Sequence, residues 1–190
     1  MAKVLPVVLH PHPVLRQKAV AVAQVDDEIR ALLANMLETL YAAHGVGLAA
    51  PQVAVGKKVV VIHSDIEGEP GQRVPRAGSK PLMMVNPQIM EHSEELIDSE
   101  EGCLSIPRMY DVIQRFKWVK VAYLDEQGNP REVEGEGLLG RCLQHELDHL
   151  EGIVFPDHLS RLKRERLWKK YSKAVAGFDA EVLGYPVRKA

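Results

Sequence analysis

Apolar residues recur along the chain with two different periods, and the switches between them divide it into elements. Over residues 26–41 they fall at Ile29, Leu32, Leu33, Met36, Leu37 and Leu40, with acidic residues at the start, which predicts an amphipathic helix packed by one face on a sheet. Residues 45–52, GVGLAAPQ, end that helix and read as a loop, whereas residues 57–63, KKVVVIH, are dominated by β-branched side chains and predict a buried strand. Residues 65–80 mix glycine, proline and charge, the composition of a surface insertion. Shorter runs at 82–85, 88–92, 118–124 and 131–136 read as strands, with Glu126, Gln127, Gly128 and Asn129 as the turn between the last two. The helical period returns over 138–150 and again over 157–175, where Leu159, Leu162, Leu167 and Tyr171 mark an apolar stripe. Helix, several short strands, helix, helix is the order of an α+β fold: mainly antiparallel short-stranded sheets around a central helix at 138–150, with a C-terminal helix.

Composition narrows the class. The 190 residues are 46% hydrophobic, enough for a real core, so neither a metal nor a disulfide is needed merely to fold the chain. A single domain is expected over 1–175, with the surface insertion near 65–80 and a C-terminal extension over 176–190. A net charge of -2 gives no reason to expect DNA or another nucleic-acid polyanion as a specific partner. The basic run over 161–173, RLKRERLWKKYSK, is a local exception, read either as the solvated face of a helix or as a transient contact with an acidic or ribosomal surface. The opening MAKVLPVVLHPHP is too short and too broken by Pro6, Pro11 and Pro13 for a signal peptide, and no run reaches membrane-spanning length. The expectation is a cytoplasmic, soluble protein without a membrane partner, in which Cys103 and Cys142 are separate chemical questions and not a disulfide framework.

The chemistry concentrates in QHELDH at 144–149. An HExxH spacing puts His145 and His149 on one helical face with Glu146 beside them, which suits a divalent metal and a general acid/base. Neutral imidazoles ligate zinc or ferrous iron well, and Glu146, between the two ligands in sequence, is better placed to carry a proton than to ligate. A third ligand is needed if one position is to stay open, and Cys103 in EGCLS (101–105) is the strongest candidate, against the plainer reading of a small buried hydrophobe. Cys142 sits three residues before His145, but three ligands on adjacent turns make poor geometry, so it is assigned to the surrounding pocket. The small residues of 45–52 permit close backbone approach without forming a phosphate loop. Gln52 could aim its side-chain NH2 at an oxyanion or be an ordinary surface glutamine.

Taken together and in this order, GVGLAAPQ, EGCLS and QHELDH resemble the peptide deformylases, over a span from about Leu9 to Val175. The 65–80 insertion and the 176–190 tail are less typical. The resemblance implies hydrolytic removal of the formyl group from the N-terminal N-formylmethionine of nascent polypeptides, releasing formate. It further implies one divalent metal, Fe2+ physiologically with Zn2+ or Ni2+ able to substitute, held by Cys103, His145 and His149. Glu146 becomes the general acid/base, and Gln52 with the backbone N–H of Leu104 the oxyanion donors. Val46, Leu138, Cys142 and the stem of Arg141 would line a pocket for a linear methionine side chain, and Gly47 and Glu100 would lie near the peptide track. Tyr110 departs from the pattern, since many members carry arginine at the matching position. The competing readings are a small metallopeptidase or other metal-dependent amidase using the same ligands, and a non-catalytic metal-binding or ribosome-associated module.

Overall fold

The computed structural model describes residues 2–68 and 74–189. Its elements in chain order are β1 (Val7–Val8), α1 (Asp27–Ala42), β2 (Gly47–Ala49), β3 (Val59–Ile62), β4 (Ile66–Glu67), β5 (Val74–Pro75), β6 (Leu82–His92) and β7 (Leu96–Cys103). They continue as β8 (Ile106–Phe116), β9 (Trp118–Leu124), β10 (Pro130–Glu136), α2 (Gly137–Leu150), α3 (Arg161–Ala174), α4 (Ala180–Leu183) and β11 (Val187–Arg188).

A five-stranded antiparallel sheet in the order β10-β9-β6-β3-β2 forms the frame. The run Val59, Val60, Val61, Ile62 is apolar at every position because both faces of β3 are covered. Val59 and Val61 pack with Ile29, Leu33, Met36 and Leu40 of α1, while Val60 and Ile62 pack with Cys142, Leu143 and Leu150 of α2. Each such fully buried aliphatic side chain contributes roughly 1.5–3 kcal/mol. α1 begins where the Asp26 carboxylate accepts the Ile29 N–H at 2.9 Å, and it ends at His44, whose φ of 50° leaves the helical region. α2 sits directly on β10 because Gly140 has no side chain: a Cβ there would meet the Gly135 carbonyl oxygen at 2.6 Å.

The sequence passes over several elements: the short β1, α4 and β11, the strand β2 inside the 45–52 stretch read as a loop, and the two long strands β7 and β8. β7 and β8 pair as a long antiparallel hairpin separate from the main sheet, with Cys103 opposite Ile106 at its tip. Its two faces see different partners: Ile106, Met109 and Ile113 join Phe155, Leu159, Leu167 and Tyr171 in a second core, while Tyr110 and Val112 point to solvent. The strands expected at 82–85 and 88–92 are one strand, β6, interrupted by a register shift at Asn86, whose φ is 52°. The helix expected over 157–175 is divided: a 3-10 turn at Phe155–His158 precedes α3, and the extended backbone at Leu159 separates them. Leu162 consequently falls outside the buried stripe, at 59% exposure. The described ends of the 65–80 insertion form the small hairpin β4–β5 on the surface, and residues 69–73 lie outside the described residues.

Candidate metal centre

His145 and His149 lie one turn apart on the face of α2 turned toward the tip of the β7–β8 hairpin. Cys103, the last residue of β7, comes in from that hairpin, and its Sγ stands 3.3 Å from His149 Nε2. One donor atom from each of Cys103, His145 and His149 lies within 4.8 Å of the others, the one such cluster found among the described residues. The ring of His145 is fixed in orientation: its Nδ1 shares a hydrogen bond of 2.8 Å with Glu101 Oε2, which leaves Nε2 for the cluster. A thiolate and two imidazoles converging on one buried point are a donor set for a divalent transition metal, and these residues fit such an ion.

The local charges favour the ligand forms. Burial works against a thiolate at Cys103, but His149 and then His145 outweigh it and bring the thiol down to about 5. Burial would likewise lower His145, yet its hydrogen bonds to Cys103 and Glu101 raise it well above the ordinary imidazole value. That elevation measures how negative the surroundings are: the same thiolate and carboxylate that hold a proton there would hold a cation. Glu101, although buried, is held at about 2 by its hydrogen bonds to His145 and Arg115. Arg115 is 4% exposed, clasps both oxygens of Glu101 at 2.8 and 3.0 Å, and reaches Asp148 Oδ2 at 2.7 Å. A continuous chain of charged groups therefore backs the ligand His145: Glu101 on β7, Arg115 on β8 and Asp148 on α2.

Glu146 is buried beside the ligands, and its Oε2 has no hydrogen-bond partner among the described residues; nor has His149 Nδ1. Burial pushes the Glu146 carboxyl up to about 7. Gly47 makes room for it, since a Cβ at that position would meet Glu146 Oε1 at 2.4 Å and Cys142 Sγ at 2.5 Å. Gln52 sits in a 3-10 turn, Ala50–Val53, where its Oε1 accepts the Ala49 N–H at 2.8 Å. Its NH2 is thereby turned to the centre, 3.4 Å from Cys103 Sγ and 3.3 Å from Ser105 Oγ. Leu104 and Ser105 form the turn of the hairpin immediately after the Cys103 ligand.

The remaining candidate residues separate into two groups. Val46 packs with Cys142 in the α2 core beside Leu139 and Leu143, and Cys142 is a buried neutral thiol that burial, then Glu146, keeps well above its usual range. Leu138 and Arg141 are half-buried in the first turns of α2. A cavity of about 750 Å³ lies behind α2, lined by Lys58, Gln88, Phe116, Gln144, Asp148 and Glu151. It contains neither the ligands nor Glu146, and its charged walls are paired among themselves, Lys58 with Glu151 and Arg115 with Asp148. Sequence motifs overlook three parts of the site. Glu101 stands within EGCLS, two residues before Cys103, and that position was its one signal; Arg115 and the spatial role of Asp148 gave none.

Comparison with known proteins agrees with this geometry. The family model for polypeptide deformylase matches residues 4–165. A peptide deformylase of Methylocella silvestris is 49% identical over 93% of this chain and 87% of its own length, and one of Phenylobacterium zucineum is 50% identical over 86% and 92%. The crystal structure of peptide deformylase from Ehrlichia chaffeensis superposes with a TM-score of 0.81 at 38% identity, covering 92% of this chain and 98% of that one. With the Cys/His/His cluster in place, these likenesses settle the family: the chain belongs to the polypeptide deformylases, metal-dependent hydrolases that remove the N-formyl group from peptides.

Proposed function

We propose that the chain deformylates the N-formylmethionine of nascent polypeptides with the division of labour that follows. The observation that carries this reading is the unpartnered Glu146 carboxylate oxygen buried against the convergent Cys103, His145 and His149 donors. A divalent cation held by those three residues, Fe2+ physiologically with Zn2+ or Ni2+ able to substitute, supplies the Lewis acidity that makes water nucleophilic at neutral pH. Glu146 takes the proton from the attacking water and returns it to the departing amine nitrogen, so the C–N bond breaks to formate and a free N-terminus. The Gln52 NH2 and the Leu104 N–H meet the negative charge that develops on the formyl oxygen. Cys103 is occupied as a ligand, and no acyl-enzyme forms.

Val46, Leu138, Cys142 and the Arg141 stem accept the methionine side chain. Gly47 contributes by leaving the space that Glu146 occupies, in addition to bordering the peptide track. Residues 1–175 form the catalytic unit and 176–190 an extension of it. Among the described residues no helix is long and apolar enough to cross a membrane; we place the protein in the cytoplasm, where α3 brings its basic face transiently to the ribosome.

Anaerobically purified protein, analysed for metal and assayed on formyl-Met-Ala-Ser beside unformylated Met-Ala-Ser, tests the reading. One metal per chain and formate release from the formylated peptide alone are expected. Cleavage of the unformylated peptide at an internal amide would replace this function with that of a metallopeptidase. Cys103→Ala is expected to lose the metal.

A further inference from the structure

The family model ends at residue 165, yet the chain beyond it is packed against the hairpin turn at Leu104 and Ser105. β11 pairs in parallel with β1, Val7 opposite Val187 and Val8 opposite Arg188. The strand is tied by Val7 N–H to the Pro186 carbonyl and Leu9 N–H to the Arg188 carbonyl, each at 2.8 Å. Phe178, 4% exposed, enters the core around Tyr171 and Phe155, and its ring lies 5.7 Å below the Arg108 guanidinium. Between these two anchors Tyr185, 7% exposed, packs with Val7, Ala43 and the side chain of Leu104. Its hydroxyl donates to the Leu104 carbonyl oxygen at 3.1 Å.

That carbonyl belongs to the peptide between Leu104 and Ser105, the central peptide of the turn. Two-residue hairpin turns ordinarily take φ > 0 at one or both central residues, because the resulting twist matches that of the strands. Neither Leu104 nor Ser105 has positive φ; the regular ladder stops at the Gly102 and Tyr110 pair, the register shifts before Cys103 meets Ile106, and the positive φ, 62°, falls at Arg108 in that irregular stretch. Turn types differ chiefly in how the central peptide is rotated, so a turn without the favoured twist has to be held in one state by its surroundings. Two groups from outside the hairpin do so, Tyr185 at the Leu104 carbonyl and His10 N–H at 2.9 Å at the Ser105 carbonyl, while the Tyr171 hydroxyl gives its proton to the His10 carbonyl oxygen at 2.9 Å. Tyr185 is the one of them that meets the central peptide.

We infer that the C-terminal extension is a working part of the active site, with Tyr185 as a positioning residue whose hydroxyl fixes the Leu104 and Ser105 turn. The inference rests on the reading of Leu104 N–H as an oxyanion donor. A turn free to change its central peptide lets the Leu104 backbone readjust about its Cα, and with it the N–H two bonds from that carbonyl carbon shifts relative to the reacting oxygen. Removing an oxyanion donor outright costs about a hundred- to a thousandfold in kcat, so loosening one costs less.

The test is Tyr185→Phe in the full-length zinc-loaded chain, which keeps the ring and removes only the hydroxyl. We expect kcat on formyl-Met-Ala-Ser to fall about five- to thirtyfold, with KM within about twofold of wild type and zinc content and Tm preserved. Relaxation-dispersion NMR of the backbone amides of Leu104, Ser105 and Ile106 should show millisecond exchange in the variant that the wild type lacks. Wild-type kcat with no new exchange would overturn the inference, as would a loss of activity that merely follows lost zinc or lowered Tm. New exchange with wild-type kcat would instead remove Leu104 from the oxyanion site, and the positioning role of Tyr185 with it. Unchanged dynamics leave the Leu104 assignment intact and sink this inference alone.

Discussion

Glu146 is the residue on which the proposed chemistry turns, and its surroundings are built by small neighbours. Gly47 leaves the space, and burial without a partner for Oε2 among the described residues leaves the carboxylate open to accept from a reactant. Glu146→Ala is expected to retain the metal while deformylation falls by at least about a hundredfold, the lower end for general acid/base catalysis; metal analysis beside single-turnover rates checks both halves. Near-normal turnover at full metal occupancy would end that assignment. Tyr110 illustrates the opposite case of a residue near the site that touches little. Its ring lies on Gly102, where a Cβ would meet Tyr110 Cε1 at 2.4 Å, and the residue is 67% exposed. Tyr110→Phe preserves that ring, so kcat/KM on formyl-Met-Ala-Ser should change by less than about threefold, and a loss near a hundredfold would show the hydroxyl to be a substrate contact.

At the scale of elements, patterns were readable where one periodicity ran unbroken. α1 and α2 appear within a residue or two of their expected limits because each has a cap or a close-packing glycine at its boundary and a single buried stripe. The β7–β8 hairpin was missed because its outer face carries Tyr110 and Val112, apolar residues that blur the alternation, while Glu101 and Arg115 lie inside. Asp125 shows a turn whose chemistry the sequence does display. Its carboxylate accepts the N–H groups of Gln127 and Asn129 at 3.0 and 2.8 Å and pairs with Arg131 at 2.8 Å, closing β9 onto β10. Although burial opposes it, these partners hold the carboxyl at about 2, below the ordinary 3.8. The folded state therefore gains from the ionised form above pH 3.8, and the gain is lost as pH falls from there through about 2. Thermal melts of Asp125→Asn and wild type should differ most above pH 4 and converge toward pH 2; a difference constant across that range would exclude the linkage.

The whole molecule is held at the metal centre by one buried cation. Arg115 joins β7, β8 and α2 through Glu101 and Asp148, and Glu101 in turn orients the ligand His145. Arg115→Met leaves the buried Glu101 carboxylate with His145 alone and the half-buried Asp148 with His158, so urea unfolding should show a loss of about 3 kcal/mol, the lower end for breaking a buried pair. Chelator competition should show metal affinity lower by about ten- to a hundredfold, the usual cost of a lost partner behind a ligand. Wild-type values for both would reduce the network to packing. The sequence by itself determined the α+β class and the HExxH helix with His145 and His149, because each is written either in local periodicity or in a short motif whose spacing is its geometry; Cys103 entered the set through the resemblance of EGCLS to the peptide deformylases, and the fold brings it to the two imidazoles. Only the tertiary structure decided that Glu101 and Arg115 stand behind His145, that Gly47 makes space for Glu146, and that Tyr185 reaches back to Leu104. Those contacts join residues far apart in sequence, and a fixed spacing along the chain says nothing about them until packing brings the elements together.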